Sequence, residues 1–115
     1  DLVKYEADGS YSREVVTLES ATATYALGTV LGQITTGGEY KPATATGSDG
    51  AETAAAVLLE EVELTGAAKQ AVVLKRLATV SADALVYDAS ITTAVQRAAA
   101  QSQLESAGIV TRTTA

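Results

Sequence analysis

The chain has no cysteine, histidine, methionine, tryptophan or phenylalanine, and a single proline, Pro42. Without cysteine there are no disulfides, thiolate nucleophiles or sulfur ligands, and without histidine the commonest general base and the commonest metal ligand are missing. Most familiar catalytic constellations are thereby excluded. Serine and threonine are numerous, yet a hydroxyl nucleophile needs a partner base, and only Lys69, Lys75 and scattered carboxylates offer one. The sequence therefore reads as a non-enzyme, with no cofactor and no small-molecule substrate.

The missing large side chains also limit the core. Hydrophobic residues make up 47% of the 115, but 23 of them are alanine, leaving 26 Leu, Val and Ile and five Tyr. A single aliphatic domain of this length buries only about two-thirds of its unfolded surface, so burial against further subunits would help it. Net charge is −6, with the eight Lys and Arg dispersed along the chain. No basic patch is available for nucleic acid. No stretch approaches the ~18 apolar residues of a membrane span and no signal pattern opens the sequence, so a soluble protein with no membrane partner is expected.

Residues 1–19 carry Asp1, Glu6, Asp8, Glu14 and Glu19 against Lys4 and Arg13, half of the total net charge. With a Gly9-Ser10 break and one compact apolar group, Val15-Val16-Thr17-Leu18, this segment reads as a flexible arm carrying a latent strand without an obvious internal partner. The expected division is an arm over residues 1–19 and a globular domain over 20–115.

From Tyr25 onward, short β-prone runs alternate with glycine, as in a compact, small antiparallel β domain. Thr29-Val30-Leu31 lies between Gly28 and Gly32, and Thr36-Gly37-Gly38-Glu39 should turn the chain back through Tyr40 and Lys41 until Pro42 ends the strand. Residues 43–53 read as an exposed loop, with Gly47-Ser48-Asp49-Gly50 as a plain turn lacking the spaced acids of a calcium loop. Two aliphatic runs, Ala55 to Leu64 and Ala71 to Val80, read as central strands. Glu60, Glu61 and Glu63 read as a charged strand end that resists edge pairing, and not as a metal site.

One short helix is predicted over about Thr92 to Ala107, with Thr93 and Gln96 at capping-box spacing; Ile91, Val95 and Ala98 share one side, which reads as a core-packing face ahead of a partner-binding one. Gly108 should take the left-handed position after the C-cap, with Ile109 packing on Leu104. Ile109 to Arg112 then reads as a closing strand, and Thr113 to Ala115 should fray. The class is β-rich (α+β).

The order of Ala26-Leu27-Gly28-Thr29-Val30-Leu31-Gly32, Tyr40-Lys41-Pro42, the Gly47 to Thr53 loop, Ala55 to Glu61, Ala71-Val72-Val73-Leu74 with Arg76, Ala82-Asp83-Ala84-Leu85 and the alanine-rich helix closing with Gly108-Ile109-Val110 resembles the lambda-type head decoration family over residues 20–112. The resemblance implies a compact β-tulip fold and homotrimers on capsid three-fold and quasi-three-fold positions. It also implies an N-terminal arm that pairs with the major capsid protein on docking, and no catalytic residues. On that reading Val15, Val16, Thr17 and Leu18 are the capsid-binding residues. The runner-up is a tail, fibre or secreted carbohydrate-binding module, to which five tyrosines dispersed in sequence lend little support.

Overall fold

The computed structural model describes residues 3–6, 12–76 and 78–112. The Gly9-Ser10 break and the fraying expected of Thr113 to Ala115 lie outside the described residues. The strands are β1 (Val3–Glu6), β2 (Arg13–Leu18), β3 (Thr22–Tyr25), β4 (Val30–Gln33), β5 (Tyr40–Pro42), β6 (Ala54–Leu58), β7 (Val62–Thr65), β8 (Lys69–Leu74), β9 (Ala78–Ser81) and β10 (Ile109–Arg112). A 3-10 turn spans Ala82–Ala84, and the one α-helix among the described residues, α1, spans Ala94–Ser106. The β-rich fold with a short C-terminal helix is as expected.

Five strands close into a small barrel in the order β2-β5-β4-β6-β8. The β4–β5 hairpin forms where the glycines permit it: Gly37 and Gly38 adopt φ of 93° and 77°, and Gln33 pairs with Tyr40 across the turn. Pro42 is the last residue of β5, as its missing N–H requires. Around the barrel lie a two-stranded ribbon, β3-β7, and a three-stranded sheet, β1-β9-β10. Two strand pairings are parallel, β9 with β10 and β2 with β5, among others that are antiparallel. Parallel neighbours need a long connection between them, and α1 supplies it for β9 and β10.

Each of the two aliphatic runs is two strands and not one. The first bends at 59–61 between β6 and β7, and the second breaks after Leu74, between β8 and β9. The apolar stretch of β6 reflects burial on both faces of a short strand, and the charged pairs Glu60-Glu61 and Lys75-Arg76 fall between the strands. In β6, Ala56 and Leu58 join a cluster with Val16, Leu18, Leu31, Tyr40, Leu64 and Val73, while Val57 joins a second cluster with Val30, Leu74, Val80, Leu104 and Ile109. The barrel wall is thus sandwiched between two aliphatic cores.

The strand expected in the arm has an internal partner after all. β2 pairs with β8 over six consecutive residue pairs, from Arg13↔Leu74 to Leu18↔Lys69. Val16 and Leu18 are buried, and β1 pairs with β9. Residues 13–18 therefore belong to the barrel, on the far side of the boundary drawn at 19/20. The partner lies more than 50 residues away in sequence, beyond the reach of local pattern.

The loop over 43–53 is likewise held down. Ala43 and Ala51 are buried, and the Ala51 backbone packs so closely on Gly32 that a Cβ there would overlap it. Lys41 and Asp49 form an ion pair across the loop, and the Thr35 N–H donates to the Asp49 carbonyl at 2.7 Å. Asp49 also accepts from the Ala51 N–H at 3.1 Å, which makes the Gly-Ser-Asp-Gly turn the plain turn expected.

Helix α1 begins in the capping box: the Gln96 N–H donates to Thr93 Oγ1 at 3.1 Å, and the Thr93 N–H to Gln96 Oε1 at 3.2 Å. Its buried residues are Ala100 and Leu104, whereas Val95 is 80% exposed, so the face expected to carry Val95 and Ala98 into the core points outward. Ile91 precedes the helix and is buried on its own account. Gln103 Oε1 accepts the Ala54 N–H at 2.8 Å, tying the helix to the start of β6.

At the far end Gly108 has φ of 91°, and Ile109 and Leu104 are both fully buried in one cluster. Gly108→Ala should therefore lower stability by about 1 kcal/mol. Leu18→Ala should cost about 2–5 kcal/mol, as for any core leucine. Urea midpoints check both, and an unchanged midpoint for the Leu18 variant would remove β2 from the barrel core.

Candidate functional site

One stave of the barrel, β2, is covered along the whole of one edge and only at the end of the other. Backbone groups of an antiparallel strand point alternately toward and away from its neighbour. The Lys75 N–H donates to the Ser12 carbonyl at 2.8 Å, which places the groups of residues 14, 16 and 18 toward β8 as well. Those of Val15 and Thr17 point the other way. On that side β5 pairs with β2 only at Leu18↔Tyr40, followed by the Glu19 N–H donating to the Tyr40 carbonyl at 2.8 Å. Beyond that point β2 and the β4–β5 hairpin diverge.

The divergence leaves a groove of about 340 Å³ between Glu14 to Thr17 on one wall and Gly37, Gly38 and Tyr40 on the other. The side chain of Gln33 donates to the Gly38 carbonyl at 3.1 Å and fixes the opposite wall. A Cβ built on Gly37 would meet nothing within 4 Å, so the mouth is open. Val15 is 59% exposed, the second most exposed large aliphatic side chain among the described residues. An unpaired strand edge beside a groove and an exposed β-branched residue can accept an extended segment of another chain.

Charge is gathered at the Glu14 end. Arg76 donates to Glu14 Oε1 at 3.0 Å and Lys75 to Glu14 Oε2 at 3.4 Å. The Arg76 hydrogen bond above all, with Lys75 adding to it, holds the Glu14 carboxyl below its ordinary range. Lys75 also lies 5.7 Å from the centre of the Tyr40 ring, and the Tyr40 side chain, ahead of Glu14, keeps its ammonium above the usual range. These contacts pin the groove end to β8 and suit a neutral or mixed-charge backbone, not a polyanion.

A family model of bacteriophage lambda head decoration protein D matches residues 1–109. The chain belongs to that family. No curated protein matches it. Members are phage head decoration proteins, which makes this a structural capsid decoration protein, with the major capsid protein as partner and the capsid surface of the virion as its place.

Of the four residues assigned to capsid binding, the structure separates two from two. Val16 and Leu18 face the core, Val15 is exposed and Thr17 half-buried. The uncovered edge itself was not visible in the sequence, because it depends on how β5 meets β2. Elsewhere Glu60 turns its carboxylate onto the Val72 N–H at 2.8 Å, replacing a missing ladder partner in β8. Glu63 is exposed on β7, and no group of His, Cys, Asp or Glu among the described residues is arranged to hold a metal.

The lowered pKa of Glu14 fixes a pH signature. A carboxyl depressed in the folded state adds stability above the ordinary glutamate range and loses it as pH falls through the depressed value. Both partners are partly solvent-exposed, so the contribution should be about 0.2–1 kcal/mol. Glu14→Gln should thus lower the urea midpoint slightly at neutral pH and not at all in strong acid. A deficit that persists in acid would mean that Glu14 acts through packing.

Proposed function

We propose that this protein binds the outer surface of the expanded phage capsid as homotrimers at three-fold and quasi-three-fold positions. There it bridges neighbouring major capsid subunits, so that they resist separation as internal DNA pressure rises. It is made in the host cytoplasm before assembly onto heads. Family membership supports the reading, and the observation that carries it is the uncovered edge of β2.

The N-terminal segment keeps the capsid-binding role on this reading, with the work divided within β2. Val15 meets the capsid strand through its outward N–H and carbonyl and Thr17 through its N–H, and Val15 adds its side chain. Val16 and Leu18 contribute by holding the edge in place from within.

Energetics favour a preformed edge over a mobile one. Ordering eight residues of free chain would cost on the order of 8–16 kcal/mol. β2 is already ordered by β8, so only the incoming strand bears that cost. Burying Val15 contributes about 1.5–3 kcal/mol and each new backbone hydrogen bond about 0.5–1.5. A single edge therefore binds weakly. Three edges on one trimer raise the effective concentration and hold firmly.

Val15→Pro removes one outward donor at an edge position where a strand tolerates proline, and Val15→Asp places a charge in the contact. Both variants should stay folded, with Val15→Asp within about 0.5 kcal/mol of the parent, while occupancy on expanded heads falls at least about tenfold. Sedimentation should give three times the 11.7 kDa chain mass. Undiminished decoration by both variants would move the capsid contact off β2.

A further inference from the structure

Two of the five tyrosines, far apart in sequence, come together at the surface. Tyr25, at the end of β3, and Tyr87, after the 3-10 turn, line a hollow of about 230 Å³ with Pro42, Val86, Thr24 and Asp88. A parallel bridge between Thr29 and Val86 holds the two segments side by side, with the Val30 N–H donating to the Val86 carbonyl at 2.9 Å. Tyr87 is fixed further by Gln101 Nε2, which donates to its hydroxyl at 2.9 Å. Each ring packs against a hydrophobic cluster, Tyr25 on that of Leu18 and Leu64 and Tyr87 on that of Val30 and Leu104, and both remain half-buried at the hollow. Tyrosine suits a site that is apolar on one side and wet on the other.

The polar groups of the hollow are underused. The Tyr25 hydroxyl and the Thr24 hydroxyl hydrogen-bond to no other described residue, and Asp88 uses one oxygen on the Ser90 N–H at 3.0 Å. Burial, then Glu19 and Asp88, raise the Tyr25 phenol above its ordinary value, so it remains a protonated donor. Lys41 is engaged by Asp49, and the nearby carboxylates repel anions. Such a lining favours a neutral ligand with several hydroxyls and one apolar face. The volume falls below the ~300–1,000 Å³ of sites for drug-sized ligands, which limits the occupant to about one ring.

We propose that this hollow binds a single residue of neutral carbohydrate, with Tyr25 and Tyr87 against the ring's C–H face and Asp88, Thr24 and the Tyr25 hydroxyl meeting its hydroxyls. The site is open and small, so each copy binds weakly, in the millimolar range. On a decorated head the copies act together, and avidity gains of about 10²–10⁴ turn a weak site into adhesion to a glycan-coated surface. The inference uses the capsid reading only for this last step. The site itself does not involve the β2 edge.

The experiment is an NMR titration of the full chain with methyl β-glucopyranoside, methyl β-galactopyranoside and N-acetylglucosamine, with glycerol as the non-ring control. At least one sugar should give saturable shifts of the Tyr25 and Tyr87 ring protons and the Asp88 amide, and glycerol none. Tyr25→Ala should weaken that binding at least about tenfold, Tyr25→Phe less, and Asp88→Asn should reduce it without altering the urea midpoint. Val15→Ala should leave it unchanged. No saturable shift with any of the three sugars, or equal shifts with glycerol, overturns the proposal. Loss of the Tyr25 and Tyr87 signals on raising protein concentration without sugar also overturns it, since a second copy would then occupy the hollow.

Discussion

The antiparallel ladder between β2 and β8 is the contact on which the remaining structure depends. It closes the barrel, positions Val16 and Leu18 inside it, and turns the backbone of Val15 and Thr17 outward. A buried face and an unpaired outer edge belong to the same six residues. This economy suits a small domain without large aromatic side chains, because a strand that already contributes to stability needs no further ordering to present an edge. The unusual feature is that β5 stops short. An edge strand of this kind is ordinarily shielded, and here a glycine turn leaves it open.

The parts of the fold written in neighbouring residues were legible from sequence. The Gly37-Gly38 turn, the Pro42 stop, the Thr93–Gln96 box and the left-handed Gly108 each follow from a conformational demand met within a few positions. Features that depend on distant partners were not. Val15 to Leu18 has the composition of a strand, but its partner is β8, and charge around it suggested a detached arm. Ala55 to Leu64 reads as one strand because β6, buried on both faces, shows no alternation, and Glu60-Glu61, which mark the bend, read instead as a charged strand end. Ala51 looks like any small loop residue until Gly32 is seen beneath it.

The candidate sites show the same division. The sequence singled out Val15 through Leu18, and the structure keeps all four in one strand while turning Val16 and Leu18 into the core and Val15 to solvent, since residue period two sends neighbours to opposite faces. Tyr25 and Tyr87 carry no local signal at all. They meet only because the bridge between Thr29 and Val86 brings the end of the ribbon beside the 3-10 turn. Exposed Val95 had been expected inside, but the helix is anchored by Ala100, Leu104 and the Gln103 side chain, which rotates that face to solvent.

The long span between β2 and β8 also sets an order of events during synthesis. Domains form as the chain leaves the ribosome, at about 5–20 residues per second. Val15 to Leu18 emerges early, yet its ladder partner extends to Leu74. For that interval a β-prone segment has both edges bare, and the β4–β5–β6 staves assemble before the cylinder can shut. Contacts of such sequence separation slow the final closing step, and the barrel cannot shut until the chain through Leu74 has been made.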